Sequence, residues 1–312
     1  MAHVFVSRQL PGSALDRLRA AHDTTVWPEQ LPPTPAQLRE HAAGADGLLT
    51  LLTDHIDAEL ISAAPKLKVI ANYAVGYDNI DVDAATARSI AVGNTPDALT
   101  EATADLAFAL LMASGRRIVE AAGAVRTGAW KTWEPGGFLG ADIYGATIGI
   151  IGLGRIGQAV ARRAAGFGME VLTTETRDAH NLEHLLRRSD FVSLHLPLTS
   201  GTHHLINADA LALMKPTAIL INTSRGAVVD QAALAQALST GQIAGAALDV
   251  TDPEPLPLED PLLQAPNLLV VPHIGSATWT ARERMAEISV DNILAGLDGR
   301  PLPYQVSAQA GF

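Results

Sequence analysis

Three polar side chains in the last third of the chain are spaced so that they could share one chemical task. Arg225 follows Ile219-Leu-Ile-Asn-Thr-Ser224, which opens on an apolar run, and His273 follows Leu269-Val-Val-Pro272. Glu254 lies in Asp252-Pro-Glu-Pro255, five residues beyond Asp249, which ends Gly245-Ala-Ala-Leu. Each run reads as a short buried strand, so each polar group stands just past a strand's carboxyl end. Arg, Glu and His together suit reduction of a carbonyl beside a carboxylate. The planar guanidinium of Arg225 can hold a carboxylate in bidentate fashion. His273 can protonate the carbonyl oxygen as hydride reaches the carbon. Glu254 can bond the other ring nitrogen, which fixes the tautomer and favours the imidazolium. Pro253, Pro255 and Pro272 stiffen the loops that aim these groups. Singly, each residue has a plain alternative: a turn arginine, a solvated acid, a core histidine. At three strand ends of one sheet they read as a site.

Such a reduction needs a hydride source, and an earlier stretch supplies the place for one. Thr147 to Ile151 is a β-branched apolar run, followed by Gly152-x-Gly154-x-x-Gly157, with Ile156, Val160 and Ala164 then at helical spacing. Strand, glycine turn and helix form the context of a dinucleotide fingerprint. Gly152 makes the turn, Gly154 lets the backbone approach a pyrophosphate, and Gly157 lets helix pack on strand. The helix start then offers N–H groups and its dipole to the phosphates. A second strand, Glu170 to Thr174, leads to Glu175, 23 residues after Gly152, where an acid takes the adenosine ribose hydroxyls. Glu175 favours NAD(H) over NADP(H), although Arg177 nearby would suit a 2′-phosphate. His195 also ends a strand and reads as a wall of the cofactor cleft, whereas His203 and His204 read as solvent-facing. From the spacing of the histidines and acids no metal is expected.

The elements that must carry these residues alternate along 312 residues, a length that suits two domains. Strands are expected at 3–7, 24–27, 47–52 and 68–71, with helices at 14–22, 36–43 and 57–64 between them. Thr95-Pro96-Asp97 looks like a boundary. Beyond it come a helix from Thr100, a second from Arg116 to Arg126, and strands at 147–151, 170–174, 191–195, 218–222, 245–250 and 269–271. The spacing predicts an α/β fold of two Rossmann-like domains with doubly wound parallel sheets and a cleft between them. Residues 1–96 plus the returning tail 297–312 make a discontinuous substrate-binding domain, and 97–296 the dinucleotide domain. Gly128 to Tyr144 carries Trp130, Trp133, Phe138 and Tyr144 with little regular pattern, and reads either as an arm burying against a partner or as a satellite core of the same subunit.

Composition narrows the partners. A net charge of −11 argues against nucleic acid or an anionic membrane surface. The absence of cysteine removes disulfide and thiolate chemistry and fits a reducing cytoplasm. The N-terminus lacks a signal-peptide layout, and no apolar run approaches a membrane span.

Taken together, Val75-Gly-Tyr-Asp-Asn-Ile-Asp81, Thr100-Glu-Ala-Thr-Ala-Asp105, Ile150-Ile-Gly-Leu-Gly-Arg-Ile-Gly157, Ile221-Asn-Thr-Ser-Arg-Gly226, Ala247-Leu-Asp-Val250, Asp252-Pro-Glu-Pro255 and Pro272-His-Ile-Gly-Ser276 resemble the D-isomer-specific 2-hydroxyacid dehydrogenases, in their glyoxylate/hydroxypyruvate reductase branch. The resemblance implies Arg225 as ligand of the substrate carboxylate, His273 as acid/base and Glu254 as its partner. It implies a cofactor site formed by Gly152, Gly154, Arg155, Ile156, Gly157, Glu175, Thr223, Ser224, Arg225, Asp249, His273 and Gly275, with Asp249 near the nicotinamide carboxamide. Substrate would meet Leu52 and the backbone N–H groups of Val75 and Gly76, besides Arg225 and His273. It further implies a homodimer with the 116–144 arm near the interface, and a small anionic 2-oxo acid, glyoxylate or hydroxypyruvate, as substrate. A relative acting on 3-phosphoglycerate, 2-ketogluconate or phosphite, or an NAD(H)-sensing corepressor-like protein, would use the same sheet. One departure is visible: the family's helix and further strand after Glu175 are missing by about ten residues, so the wall beside the adenosine should be thinner.

Overall fold

In the computed structural model, which describes residues 1–174 and 179–306, the apolar runs form two parallel sheets in two units. Unit 1 holds residues 1–99 and 277–312, and unit 2 holds 100–276.

Unit 1 begins with β1 (His3–Val6), α1 (Ala14–Ala21), β2 (Asp23–Val26) and α2 (Pro35–Gly44). It continues with β3 (Gly47–Thr50), α3 (Ala58–Ala63), β4 (Val69–Asn72), α4 (Val82–Ala87) and β5 (Ala91–Gly93). The sheet order is β2-β1-β3-β4-β5, every pairing parallel. Helix starts are set locally. Thr34, Asp57 and Asp81 each accept an N–H from the first turn that follows, meeting a donor the helix itself cannot. The short α4 and β5 go beyond the elements read from the sequence.

Unit 2 opens with α5 (Thr100–Gly115) and α6 (Ile118–Arg126), followed by β6 (Thr147–Ile151), α7 (Arg155–Gly166) and β7 (Glu170–Thr174). Then come α8 (Ala179–Arg188), β8 (Phe191–Leu194), α9 (Ala208–Leu213), β9 (Ile219–Asn222), α10 (Gln231–Ser239), β10 (Gly245–Leu248) and β11 (Leu268–Val270). The parallel order is β11-β10-β9-β8-β6-β7. Alternate side chains enter two cores. Val192, Leu194, Leu220 and Leu248 meet α8, α9 and α10 on one face. Ile148, Ile150, Ile221 and Ala247 meet α5 and α7 on the other. Both faces are covered, which is why the central strands are largely apolar. Among the described residues β7 forms the sheet edge, and no strand lies beyond it.

The chain returns to unit 1 through α11 (Trp279–Leu297). This helix packs on β3, β4 and β5 and against α1. The boundary expected at residue 297 therefore moves to 276/277. A helix here lies along the chain between β11 and the tail that returns to the other sheet, so its position in sequence does not say which sheet it covers. The tail pairs with β5: the Val306 N–H donates to Val92 C=O at 2.8 Å, and Asn94 N–H to Tyr304 C=O at 3.2 Å. Among the described residues no helix is long and apolar enough to cross a membrane.

Candidate active site

Strand register in unit 2 sets the site. Thr174, Ile151, Leu194, Asn222, Leu248 and Val270 are paired in one row across the sheet. The residues just beyond that row are Gly152, His195, Thr223, Asp249 and Val271, at the carboxyl edge where ligands bind such sheets.

After β9, Asn222 stitches the next loop. Its Oδ1 accepts from the Ser224 N–H at 3.0 Å and the Ser224 hydroxyl at 2.8 Å. Its Nδ2 donates to the Arg225 carbonyl at 2.9 Å. Arg225 Nη1 donates to the Ser224 carbonyl at 2.9 Å. Gly226 then passes so near the loop after β10 that a Cβ would sit 2.0 Å from the Thr251 carbonyl. Only glycine permits that approach, and it brings the Arg225 loop against the Glu254 loop.

The Glu254 carboxylate works in both directions. Oε1 accepts the Thr251 N–H at 3.0 Å, and Oε2 stands 2.8 Å from His273 Nδ1. Gln231 pairs with both polar groups of the Asp252 backbone, accepting its N–H at 2.9 Å and donating to its carbonyl. His273 itself has φ +53°, a left-handed conformation that costs a non-glycine residue free energy. Asp249 is buried, and burial raises its carboxyl pKa above the usual value against the opposing effect of N–H donors from Ile274 and Gly275.

The glycine turn stands beside β6. Gly152 has φ +92°, and a Cβ there would lie 2.5 Å from the His195 carbonyl, so both space and backbone require glycine. Gly154 caps α7 without a side chain, and a Cβ on it would meet nothing within 4 Å. Arg155, Ile156 and buried Gly157 form the first helical turn. Thr223 Oγ1 is buried without a protein partner. Open space before a helix start and an orphaned hydroxyl on the same sheet edge fit a dinucleotide. His195 stands against this turn. Its Nε2 lies 2.8 Å from Ser193 Oγ, its Nδ1 is buried without a partner, and burial lowers its pKa to about 4. His203 and His204 are exposed and stack on each other. Glu175 and Arg177 lie outside the described residues.

In unit 1, Leu52, Val75 and Gly76 follow the carboxyl ends of β3 and β4. Asn94 Nδ2 donates to the Val75 carbonyl at 2.8 Å, and Asn72 Nδ2 to the Gly76 carbonyl at 2.9 Å. The carbonyls are thus held by the protein, and a ligand would use the N–H side of these peptides. The Leu52 loop rests on buried Asp54, which accepts the Leu51 N–H at 2.7 Å and the Ser7 hydroxyl. Burial raises the Asp54 pKa.

Three features escaped the sequence reading. Asn222, Thr251 and Gln231 hold the loops of the site, yet nothing in their spacing marks them; an amide at a strand end before Thr-Ser-Arg was the available signal. His180 and His184 stand at His-x-x-x-His spacing on α8, a pair that the expectation of no metal from histidine spacing left out of account. Among the described residues, however, no three His, Cys, Asp or Glu groups could hold a metal ion. The aromatic arm is no satellite core: Trp130 and Trp133 are 60% and 78% exposed.

The strand order, glycine turn and Glu–His pair define a nucleotide-linked dehydrogenase sheet. A sequence model of the D-isomer specific 2-hydroxyacid dehydrogenase NAD binding domain matches residues 108–275. The glyoxylate reductase of Korarchaeum cryptofilum is 50% identical over 98% of this chain and 96% of its own. The crystal structure of the TT0316 protein from Thermus thermophilus superimposes with a TM-score of 0.93 at 51% identity, covering 98% of this chain and 100% of that one. The NADPH-dependent glyoxylate/hydroxypyruvate reductase from Sinorhizobium meliloti, solved with NADP and malonate, gives 0.85 at 33% identity over 98% and 97%. The chain belongs to the D-isomer-specific 2-hydroxyacid dehydrogenase family, in its glyoxylate reductase branch.

Proposed function

We propose that this chain reduces a short 2-oxo acid, glyoxylate or hydroxypyruvate, to the D-2-hydroxy acid. The 2.8 Å Glu254–His273 pair on the sheet edge that carries Arg225 supports this best. A bound reduced nicotinamide supplies the hydride to the carbonyl carbon. Arg225 holds the substrate carboxylate. Glu254 takes Nδ1 of His273, which leaves Nε2 to give its proton to the carbonyl oxygen. In the reverse direction the same nitrogen accepts the hydroxyl proton. Thr223, Ser224, Asp249 and Gly275 border the nicotinamide half, and Gly152 to Gly157 hold the pyrophosphate. In unit 1, Val75 and Gly76 give backbone N–H groups to the substrate, with Leu52 as an apolar contact. Unit 1 thus takes the substrate role and unit 2 the nucleotide.

The acid at Glu175 supports NAD(H) over NADP(H), and the edge position of β7 supports thin adenosine contacts. The exposed apolar arm, with Ile118, Trp130, Trp133 and Leu139 uncovered, supports a homodimer; sedimentation equilibrium at micromolar concentration tests it. The deciding experiment is steady-state NADH and NADPH oxidation with glyoxylate, hydroxypyruvate, pyruvate, 2-ketogluconate and 3-phosphohydroxypyruvate. Fast turnover of either of the first two is expected. Tight nucleotide binding without turnover of any of them would reject the reductase reading in favour of a sensor.

A further inference from the structure

Three consecutive backbone N–H groups converge on one residue. His273 N–H donates to the Asp249 main-chain carbonyl at 2.9 Å. Ile274 N–H donates to Asp249 Oδ1 at 2.6 Å, and Gly275 N–H to Asp249 Oδ2 at 2.8 Å. Successive N–H groups around a left-handed residue form a concave nest for an anion. Here the left-handed residue is His273, at φ +53°, and the anion is a buried side chain of the same protein. The ring of His273 stands 2.8 Å from Glu254 Oε2 through Nδ1.

We propose that Asp249 is the positioning residue for His273: its carboxylate holds the peptides of Ile274 and Gly275 and so keeps His273 in the strained backbone conformation that sets its ring against Glu254. This rests on the reading of His273 as the acid/base. It also adds to the carboxamide contact expected of Asp249. A carboxylate has about four acceptor sites and the nest uses two, so the nicotinamide contact stays open to it. The two roles differ in what they control. A carboxamide ligand governs nucleotide affinity, whereas a clamp on the His273 loop governs the proton-transfer step. Asparagine at 249 would keep one acceptor and turn a donor toward the second N–H, which opens the nest at nearly constant volume.

The test combines kinetics with amide exchange. Asp249→Asn should lower kcat roughly a hundredfold, the scale of a misplaced acid/base, a loss roughly tenfold or more larger than its effect on NADH affinity by fluorescence titration. Glu254→Gln should cost about tenfold or more alone but less than about threefold in the Asp249→Asn background, because a ring no longer aimed at Glu254 gains little from it. Weakened NADH binding with the Glu254 effect undiminished would reduce Asp249 to a cofactor ligand and overturn the proposal. Amide hydrogen exchange on the unaltered protein is a second arm that needs no folded variant. The Ile274 and Gly275 amides should exchange slowly, and rapid exchange at both would overturn the clamp. The underlying reading fails separately: full activity in His273→Asn would reject the acid/base assignment and leave the exchange result untouched.

Discussion

Glu254 Oε2 and His273 Nδ1 stand 2.8 Å apart although 19 residues separate them in sequence. The other carboxylate oxygen accepts the Thr251 N–H at 3.0 Å. Glu254 therefore satisfies two donors at once, one from the ring and one from its own loop. Glutamine offers one acceptor oxygen for those two donors. Glu254→Gln should leave a donor unmet, at about 1–3 kcal/mol, or roughly ten- to a hundredfold in kcat. Steady-state kinetics with glyoxylate and a separate NADH titration check this. An unchanged kcat would mean that the pair serves structure alone.

Arg225→Lys tests the carboxylate assignment. The guanidinium offers a planar fork, and an ammonium on a shorter reach cannot reproduce two parallel hydrogen bonds. KM for the oxo acid should rise and kcat should fall, each by roughly an order of magnitude or more. Normal values of both would remove Arg225 from the substrate site. The loop around Arg225 stays held by Asn222 through the Arg225 and Ser224 backbones, and the substitution removes one loop bond, from Arg225 Nη1 to the Ser224 carbonyl.

The two turn glycines should separate binding from folding. A Cβ at Gly154 meets nothing within 4 Å, whereas one at Gly152 would lie 2.5 Å from the His195 carbonyl with φ at +92°. Gly154→Ala should therefore leave the thermal midpoint within about 2 °C, since nothing in the protein is displaced, and weaken NADH binding by about tenfold as the methyl enters the phosphate space. Gly152→Ala should lower the midpoint itself. If Gly154→Ala bound NADH normally, the space before α7 would not be the pyrophosphate site.

The strand ends were legible because the catalytic candidates stand past short, mostly apolar runs, and a parallel sheet covered on both faces demands such runs. What aligned Arg225, Asp249 and His273 was the register Asn222–Leu248–Val270, which spacing along one chain implies only loosely. The loop stitching by Asn222, Thr251 and Gln231 was illegible because each acts on backbone brought near by that register. Asp249 could be singled out, but its bonds to Ile274 and Gly275 needed the turn at His273 to be known. The placement of α11 was missed because its buried stripe fits either sheet. The exposure of Trp130 and Trp133 was open in the sequence, because aromatics signal burial without naming what buries them.

His195 gives the stability of the protein a pH dependence of known sign. Burial beside Ser193 and the glycine turn lowers its pKa to about 4, against 6.5 for a free side chain. Between those values the unfolded chain binds the proton and the folded chain does not, so acid favours unfolding. The contribution is fully present above pH 6.5, falls as pH drops toward 4, and changes no further below that. From pH 7 to pH 5 the loss attributable to this residue is about 2 kcal/mol. Urea unfolding at both pH values should show the unaltered protein losing more stability than His195→Asn by that amount. Equal losses in the two proteins would mean that His195 takes up its proton in the folded state, with the Nδ1 side opening to water to accept it.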